Sequence, residues 1–454
     1  MKTDYRAWPL RAGIIWSLLS LISLIPLKAQ EFYELTLEEA IKYALEHNKD
    51  LQNARFDIYI AERQTKEILS TGLPQLNFQA DLINNFKLPT FIIPFPDPAT
   101  GELVLNEAQF GLPWQTSAGL GFSQLAFDGT YFLGLKAADE FALLSKKNLS
   151  RTQEETAFNV SKAYFQAMIT QEVRKLVDAN ISRISQLSKE TKALNEEGFA
   201  EKIDVERLQI NLTNLQLERS KAERAAKLSI DLLKFQMGMP VLAELYLTQD
   251  ISDIEVGPVP LGSFSDFALN QRIEYSILET QRNLETYNMR RYKAGYLPTL
   301  YAIGNYTWNN QWDAEQSFDF YVGAIGLQLN FSIFDGMRKR HQVMQSKLAL
   351  KKIENNFATF ENSVHLELKS THARLADAYN NLDVYKQNAK LAQKVFKVAQ
   401  IKYKEGVGSS LELNNAESEL KQSESNSLSA LFEYLMAKVA YQKARGEFSK
   451  YHQN

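Results

Sequence analysis

The side chains best suited to bind a transition metal in this sequence are its five histidines, because cysteine is absent. They are His47, His341, His365, His372 and His452. His365 and His372 share one face of a predicted helix, two turns apart, but no carboxylate or further histidine completes a close ligand set. Two solvated helix residues are therefore favoured over a metal pair. We predict no metal site and no cofactor, and the lack of cysteine also excludes disulfides and thiolate clusters.

Short motifs that mark common enzyme sites are missing as well. The sequence has no Gly-rich phosphate loop followed by Lys, no GxSxG turn and no HExxH helix. Its formal net charge is -3 and charged residues make up 23% of it, which argues against nucleic acid as a partner. Apolar residues make up 45%, enough for a large core. These observations favour a folded protein that is not an enzyme.

The tripeptide Phe-Asp-Gly occurs twice, at 127–129 and at 334–336, each time at the end of a strand-like run. Asp-Gly between strands usually predicts a hairpin turn. Here each copy precedes a long tract without Gly or Pro, so we predict a strand-to-helix junction instead. An Asp in this place can cap the first helical amides, and a Gly allows a sharp change of direction. The junction residues are Asp128, Gly129, Asp335 and Gly336.

The tracts that follow the junctions are too long for a compact domain. No Gly or Pro occurs from 135 to 197 or from 337 to 405, and roughly 65 helical residues would span about 100 Å. Their apolar residues recur three and four positions apart, which is the pattern of a packed helix seam. Examples are Val173, Val177, Ile181, Ile184 and Leu187, and Leu428, Leu431 and Leu435. We predict long helices that pack along one seam and expose polar faces to water.

Four shorter segments alternate apolar and polar residues, as at Leu76 and Phe78, and the two copies keep the same phase, since Leu120 corresponds to Leu327. Segments of about 10 residues with one apolar face suit tilted transmembrane strands, although an ordinary half-buried sheet alternates in the same way. Four strands cannot close a membrane barrel, and lipid permits no open sheet edge. A membrane sheet built from them would therefore require several chains.

The order of these elements occurs twice along the chain, with a Leu-Pro element before each strand pair and a Glu-Gly turn after each long helix. Strands are predicted at about 75–87, 114–127, 299–310 and 318–333. Helices are predicted at about 129–194, 201–237, 336–404 and 409–446. The first repeat occupies 30–240 and the second 241–454. The Pro-rich segment 87–114 is predicted to be a long loop.

Residues 1–29 have the pattern of a secretory signal peptide. Lys2, Arg6 and Arg11 precede a short apolar run, which ends in the small-residue exit at Ala29. After residue 30 no apolar run reaches the ~20 residues of a membrane helix. Contact of the mature chain with a membrane would therefore require β-strands.

The repeated order of strand pair, long helix, Glu-Gly turn and second helix is headed by LTLEEAIKYALEHNKDLQNAR at 35–55. This arrangement resembles the TolC-like outer-membrane efflux proteins, or outer membrane factors, over nearly all of the chain after the signal peptide. The resemblance implies a mixed fold, in which a homotrimeric twelve-stranded transmembrane β-barrel, four strands from each chain, continues into a long α-helical barrel. Residues 242–270 and the C-terminus would form an equatorial belt.

The resemblance also implies a function. Such a protein is the outer-membrane exit duct of a tripartite efflux or type I secretion system, with a periplasmic extension. It passively conducts substrates from a periplasmic adaptor protein and an inner-membrane pump to the exterior, and its barrel contacts outer-membrane lipid. The Glu-Gly turns would be helix tips that contact the adaptor. These tip residues are Glu197, Gly198, Phe199, Glu405, Gly406 and Val407.

Members of this family hold the entrance shut near these tips with a Tyr, two kinds of Asp and an Arg. Aligned on the turn glycines, the resemblance places the gate and pore residues at Asp204, Tyr403, Glu412 and Asn415. Glu412 keeps the charge of one pore Asp, whereas Asn415 replaces another and Gly408 stands at the Arg position. The family's inter-subunit salt bridge therefore cannot form in the same way. Three Glu412 carboxylates around a narrow axis would attract cations, while ordinary polar residues of exposed helix turns are the alternative.

The main alternative to a channel is a periplasmic or surface coiled-coil interaction protein without a barrel. It accounts for the long helices but leaves the four strand segments with matched phase unexplained. An outer-membrane hydrolase is a further alternative, and no convergent polar site in the sequence supports it.

Overall fold

Long helices and a small number of strands make up the protein. The computed structural model describes residues 32–96, 98, 100–254, 256–258 and 269–452, and the predicted signal peptide at 1–29 lies outside the described residues. The helices are α1 (Leu37–His47), α2 (Lys49–Ser70), α3 (Gly129–Glu196), α4 (Lys202–Met237), α5 (Ile273–Ala294), α6 (Arg338–Lys404) and α7 (Ser410–Ala444). The strands are β1 (Phe32–Leu35), β2 (Gln75–Asn84), β3 (Thr90–Pro96), β4 (Leu103–Gln109), β5 (Trp114–Phe127), β6 (Glu244–Leu247), β7 (Thr299–Trp312) and β8 (Ser317–Asn330). Among the described residues, no helix combines enough length and apolar character to cross a membrane.

Two compact units each combine three separate stretches of chain. The first comprises the described residues up to Asn48, Thr156–Pro258 and Ala376–Val439. The second comprises Lys49–Glu155, the described residues from 269 to Leu375, and those after Val439. Neither unit therefore coincides with one of the two sequence repeats.

In the first unit, parts of α3, α4, α6 and α7 share one core near the Glu-Gly turns. Its buried members are Ile184, Leu187, Leu208, Leu215, Ala392, Phe396, Ala399, Leu413, Ala416 and Leu420. They recur at intervals of three, four or seven residues, as side chains of packed helices do. Ile184 and Leu187 lie in this core as predicted, whereas Val173 is 37% exposed. In the same unit β1 pairs in parallel with β6, and β6 belongs to the segment 242–270 that was expected to be equatorial.

The second unit contains a four-stranded antiparallel sheet in the order β2-β5-β7-β8. The pairing registers place the predicted apolar residues of all four strands on one face, because Phe78 lies opposite Leu120 and Leu120 opposite Tyr306. Small and polar residues such as Gln79 and Gly119 share the other face. The alternation in the sequence thus predicts both the strands and their common phase. Within one chain β2 and β8 are the two edges of the sheet.

A β-hairpin occupies the middle of the Pro-rich segment between β2 and β5. β3 pairs with β4 from Thr90 opposite Gln109 to Pro96 opposite Leu103, so the prediction of a long loop over 87–114 is wrong there. Proline lacks the amide donor that a central strand needs, but each strand of a two-stranded hairpin is an edge. The Phe, Ile, Val and Leu residues of the two strands favour extended backbone, and this preference outweighs the loss of amide donors at the prolines.

The first Phe-Asp-Gly sequence joins β5 to α3. Asp128 Oδ1 accepts a hydrogen bond from the amide of Thr130 at 2.7 Å, which is the helix cap predicted for it. Gly129 is the first residue of α3 and is not among the glycines with positive φ. A Cβ there would lie 3.1 Å from Leu297 Cδ1 and 3.3 Å from Ala294 Cβ. Glycine at 129 therefore permits close approach of two segments, and the expectation of a sharp turn at this residue is corrected.

The second Phe-Asp-Gly sequence has a different backbone. Gly336 has φ +67° and Met337 φ +68°, so two successive left-handed residues delay the start of α6 to Arg338. Asp335 Oδ2 accepts from the amide of Lys339 at 3.3 Å and lies 3.6 Å from its Nζ. Here glycine does serve the change of direction, and the aspartate still satisfies a free amide of the first helical turn.

Candidate functional site

Two tight turns join the long helices of the first unit, α3 to α4 and α6 to α7. Their glycines have left-handed backbone, with φ +87° at Gly198 and +73° at Gly406, which costs a residue with a side chain about 1–2 kcal/mol. At the first turn the amide of Phe199 donates to the carbonyl of Leu194 (2.8 Å), and that of Gly198 to Asn195 (3.0 Å). This pair of bonds is the Schellman helix ending. The Glu-Gly sequence therefore encodes a closed helix end and not a flexible loop.

The second turn repeats this pattern and explains the glycine at 408. The amides of Val407 and Gly408 both donate to the carbonyl of Lys402 at 3.0 Å, and that of Gly406 to Tyr403 at 3.1 Å. A Cβ at Gly408 would come within 2.9 Å of Lys402 Cβ and 3.0 Å of the Tyr403 nitrogen. This turn has no room for a larger residue. The glycine at the family's Arg position is therefore a packing requirement of the turn itself.

An apolar side chain faces outward at each tip. Phe199 and Val407 are each 79% exposed, and Glu197 and Glu405 beside them are exposed as well. The residue at this place in a Schellman ending often packs back on the last helical turn. Phe199 and Val407 do not pack in this way, so each tip has an exposed apolar side chain next to a carboxylate. Such a surface is suited to a protein partner.

Glu412 and Asn415, two of the predicted pore residues, line one groove between α6 and α7. Lys394, Lys402 and Glu419 line it too, over an apolar floor. Glu412 Oε1 lies 3.0 Å from Lys402 Nζ, and both side chains are about half exposed. Such an exposed pair contributes roughly 0–1 kcal/mol, so Lys402 lowers the local negative charge without locking the carboxylate. Sequence reasoning missed Lys402, although it stands just before the turn that precedes Glu412.

Tyr403 and Asp204 are not brought into this groove. Tyr403 packs against the shared helix core of the first unit, and its buried hydroxyl has no hydrogen-bond partner in the described part of the chain. Asp204 lies in the first turn of α4, where its amide donates to the carbonyl of Glu201 at 3.1 Å. Of the four predicted gate and pore residues, a single chain thus unites only Glu412 and Asn415.

An ion pair ties α3 to α6 close to both tips. Lys404 Nζ lies 2.9 Å from Glu190 Oε2 and 3.0 Å from its Oε1. Burial alone would raise the pKa of Glu190, but the hydrogen bond from Gln186 and the pairing with Lys404 outweigh it and lower that pKa. The carboxylate is therefore held in its charged form where the helix hairpins meet.

Two ion pairs flank a buried glutamate further along the same helices. Arg183 of α3 contacts Glu424 of α7 at 2.8 Å, and Lys421 of α7 contacts Glu218 of α4 at 2.9 Å. Glu417 of α7 is 5% exposed, and its Oε1 has no hydrogen-bond partner among the described residues. Burial raises the pKa of Glu417, the cations Arg183 and Lys421 oppose the rise, and Glu424 and Glu218 add to it. No sequence pattern marks this glutamate, because helix periodicity does not separate a buried carboxylate from an exposed one.

Glu417→Gln is expected to stabilise the protein at alkaline pH and to matter less in acid. Between the usual and the raised pKa, the folded state keeps a proton that the unfolded state releases, so wild-type stability falls as pH rises through the raised pKa. Glutamine removes this loss, and the expected gain is about 1–2 kcal/mol, the scale of an unsatisfied buried polar group. Thermal unfolding at pH 5 and pH 8 measures it, with the exposed Glu419→Gln as control. A gain that shrinks with rising pH would contradict the assignment.

Comparison with known proteins supports the resemblance. A family model described as Outer membrane efflux protein matches residues 268–447. The outer membrane protein TolC of Vibrio cholerae is 20% identical over 346 residues, which cover 74% of this chain and 77% of the relative. The toluene efflux pump outer membrane protein TtgC of Pseudomonas putida is 21% identical over 429 residues, which cover 92% of this chain and 84% of the relative.

A solved structure has the same fold. The chain superposes on CusC with a TM-score of 0.72 at 16% identity, over 91% of this chain and 92% of that one. The CusC structures are described as showing the changes that accompany folding and transmembrane channel formation. The family match over residues 268–447, the two relatives and this fold agree with the ordered repeat in the sequence. The chain is thus similar to the outer-membrane efflux proteins TolC and TtgC, matches the family model over residues 268–447 and shares the fold of CusC.

Proposed function

We propose that this protein is the outer-membrane exit duct of a tripartite efflux or type I secretion system. Three copies close a twelve-stranded β-barrel in the outer membrane, and their long helices form a barrel that continues it into the periplasm. Substrates handed over by an adaptor protein and an inner-membrane pump pass through it to the exterior without chemical change. One relative is named as an outer membrane protein and another as the outer membrane protein of a toluene efflux pump, which supports a duct over an enzyme.

The four-stranded sheet carries this proposal. Its apolar face is open, with exposures of 67% at Leu76, 70% at Phe78 and 73% at Leu327, and β2 and β8 have free edges within the chain. In water such a sheet would be an aggregation site. In a bilayer an apolar outer face is required and every edge must be paired. Pairing β2 of one chain with β8 of the next satisfies both conditions, and three copies supply the even strand number that membrane barrels use.

Exposed stripes on the long helices support the same assembly. In α4, Ile203, Ile210 and Leu217 are exposed by 48%, 60% and 61%, although the core residues Leu208 and Leu215 lie on the same helix. A heptad spacing of this kind indicates a second packing seam. In α6 the apolar residues Val384 and Leu391, seven positions apart, are exposed by 53% and 60%. Each chain therefore keeps apolar helix surface for a neighbouring chain.

Membrane fractionation and electrophoresis test this function. The expected result is a protein in the outer-membrane fraction that migrates as a trimer before heating and as a monomer after it. Crosslinking in cells should also recover an adaptor and a pump with it. A soluble periplasmic monomer would contradict the duct and favour the coiled-coil interaction protein instead.

Charge changes in the Glu412 groove are expected to alter block by divalent cations. Converging carboxylates bind cations at a narrow pore, so Glu412→Gln should weaken block from the periplasmic side in planar bilayers. Lys402→Gln removes the cation that lies 3.0 Å from Glu412 and should strengthen block. The opposite signs separate a charge effect from a general distortion of the tip. Equal block in both variants would remove Glu412 from the pore.

A further inference from the structure

The β3–β4 hairpin projects from the end of the sheet that lies opposite the strand-to-helix junctions. The amide of Asn85 donates to the carbonyl of Pro113 at 2.7 Å, and Trp114 stacks on Trp312 at 5.2 Å, so its base is closed beside the sheet. At the same end β7 and β8 are joined by only the four residues 313–316. In the proposed duct this end faces the cell exterior. The hairpin is therefore a structured element at the outer mouth of the barrel.

Both faces of this hairpin are apolar and exposed. The pairing register puts alternate residues of each strand on opposite faces. One face has Phe91, Phe95 and Val104, exposed by 51%, 49% and 44%. The other face has Ile92, Leu103 and Leu105, exposed by 65%, 70% and 69%. Two apolar faces open to water require two partners.

A threefold assembly supplies two partners for each hairpin. β2 is the edge strand that would pair with the next chain. Because the hairpin follows β2 directly, it leaves the sheet beside that neighbouring chain. A seven-residue strand spans about 23 Å. A twelve-stranded barrel with strands about 4.8 Å apart and tilted by about 40° has a radius of about 12 Å. The hairpins are thus long enough to reach the threefold axis and meet there.

Charge favours other copies of the chain over lipid as the occupant of these faces. Between 86 and 113 the one basic residue is Lys87, against Asp97, Glu102 and Glu107. Segments that bind anionic lipid headgroups carry clustered Lys and Arg. An acidic hairpin with two apolar faces fits a protein contact instead.

We propose that the three hairpins fold over the outer mouth of the barrel and pack together as an apolar plug, one face of each hairpin against the opposite face of the next. The plug rests on the proposed trimeric duct. It closes the resting channel on the outside. Efflux would then require the hairpins to part.

Cysteine crosslinking tests the plug, because the chain has no cysteine of its own. Phe95→Cys and Leu105→Cys place thiols on opposite faces near the hairpin tip, so in the plug the thiol at 95 of one chain lies beside the thiol at 105 of the next. With a short bis-maleimide, the double variant should give a covalent trimer after boiling, and neither single variant should. An amine-reactive crosslinker on the same sample reports trimers independently of the hairpin. Trimers linked through amines but not through thiols would overturn the plug and leave the proposed duct intact. If neither crosslinker gave trimers, both the plug and the trimeric duct would be overturned.

Conductance gives a second measurement that does not depend on thiol geometry. The double variant Ile92→Asp/Leu105→Asp puts charge on one apolar face of every hairpin and should raise single-channel conductance several-fold. Thr90→Asp, at the base of the same hairpin, is the matched control and should leave conductance near the wild-type value. Trimer electrophoresis confirms that the variants assemble. Unchanged conductance in an assembled double variant would overturn the plug.

Discussion

Replacing Arg272 with alanine is expected to lower the free energy of unfolding of the second unit by about 3–5 kcal/mol, the cost of breaking a buried ion pair by removing one partner. The Arg272 side chain is 6% exposed. Its Nε lies 3.1 Å from Glu274, and its Nη1 lies 3.3 Å from Glu367. Nη1 also donates to the carbonyl of the fully buried Ala444 at 2.8 Å. One guanidinium therefore joins the start of α5, the middle of α6 and the end of α7.

The size of this effect follows from what alanine leaves behind. Burial by itself lowers the pKa of Arg272, yet Glu274 and Glu367 outweigh burial and raise that pKa. The guanidinium is therefore charged in the folded protein. Without it the fully buried Ala444 carbonyl loses its donor. Glu274 and Glu367, which are partly exposed, lose the cation between them. Glu154 nearby, which is hydrogen-bonded to His452 at 2.6 Å, already has a pKa raised by burial. Loss of Arg272 removes one of the charges that oppose this rise.

Denaturant unfolding of the detergent-solubilised protein measures the change at Arg272. The control is Arg151→Ala, which removes an ion pair to Glu155 at 4.0 Å between side chains that are 45% and 54% exposed. Pairs of this kind are worth roughly 0–1 kcal/mol. Equal destabilisation by the two variants would mean that Arg272 is not the junction of these three helices.

Sequence patterns predicted the sheet well because its chemistry is periodic. Alternation at Leu76 and Phe78, with the same phase at Leu120 and Leu327, was enough to place the apolar residues of four strands on one face. The cap at Asp128 followed from the chemistry of a first helical turn in the same way. Local rules succeed where one short segment determines the outcome.

Other features depend on tertiary contacts that no local pattern records. Tyr403 turns toward the helix core of the first unit, and Glu412 faces Lys402 across a turn. Burial of Glu417 results from the packing of three helices. The β3–β4 hairpin was missed for another reason, since its prolines suppressed a strand prediction that an isolated hairpin tolerates. The reason for glycine at 129 is likewise a tertiary contact, since a Cβ there would approach Leu297.

Placing arginine at Ile325 is expected to destabilise the proposed trimeric barrel by about 2–4 kcal/mol per chain, the cost of a basic side chain facing lipid near the bilayer midplane. Ile325 lies near the middle of β8 and is 95% exposed, opposite Gly304 in β7. Ala324 is the neighbouring residue and lies opposite Asn305 on the other face. Because successive residues of a strand face opposite sides, Ala324→Arg is the matched control, with its charge on the face that would line the lumen of the proposed barrel.

The two arginine variants separate the sides of the sheet. Ile325→Arg should reduce the unheated trimer band and lower the temperature at which that trimer dissociates. Ala324→Arg should assemble normally and shift ion selectivity toward anions, since the lumen residues of a membrane barrel set selectivity. If Ala324→Arg were the variant that failed to assemble, the apolar face would line the lumen, and the sheet could not be the wall of an outer-membrane duct. The proposal of a duct is therefore tested by which of these two adjacent residues tolerates an arginine.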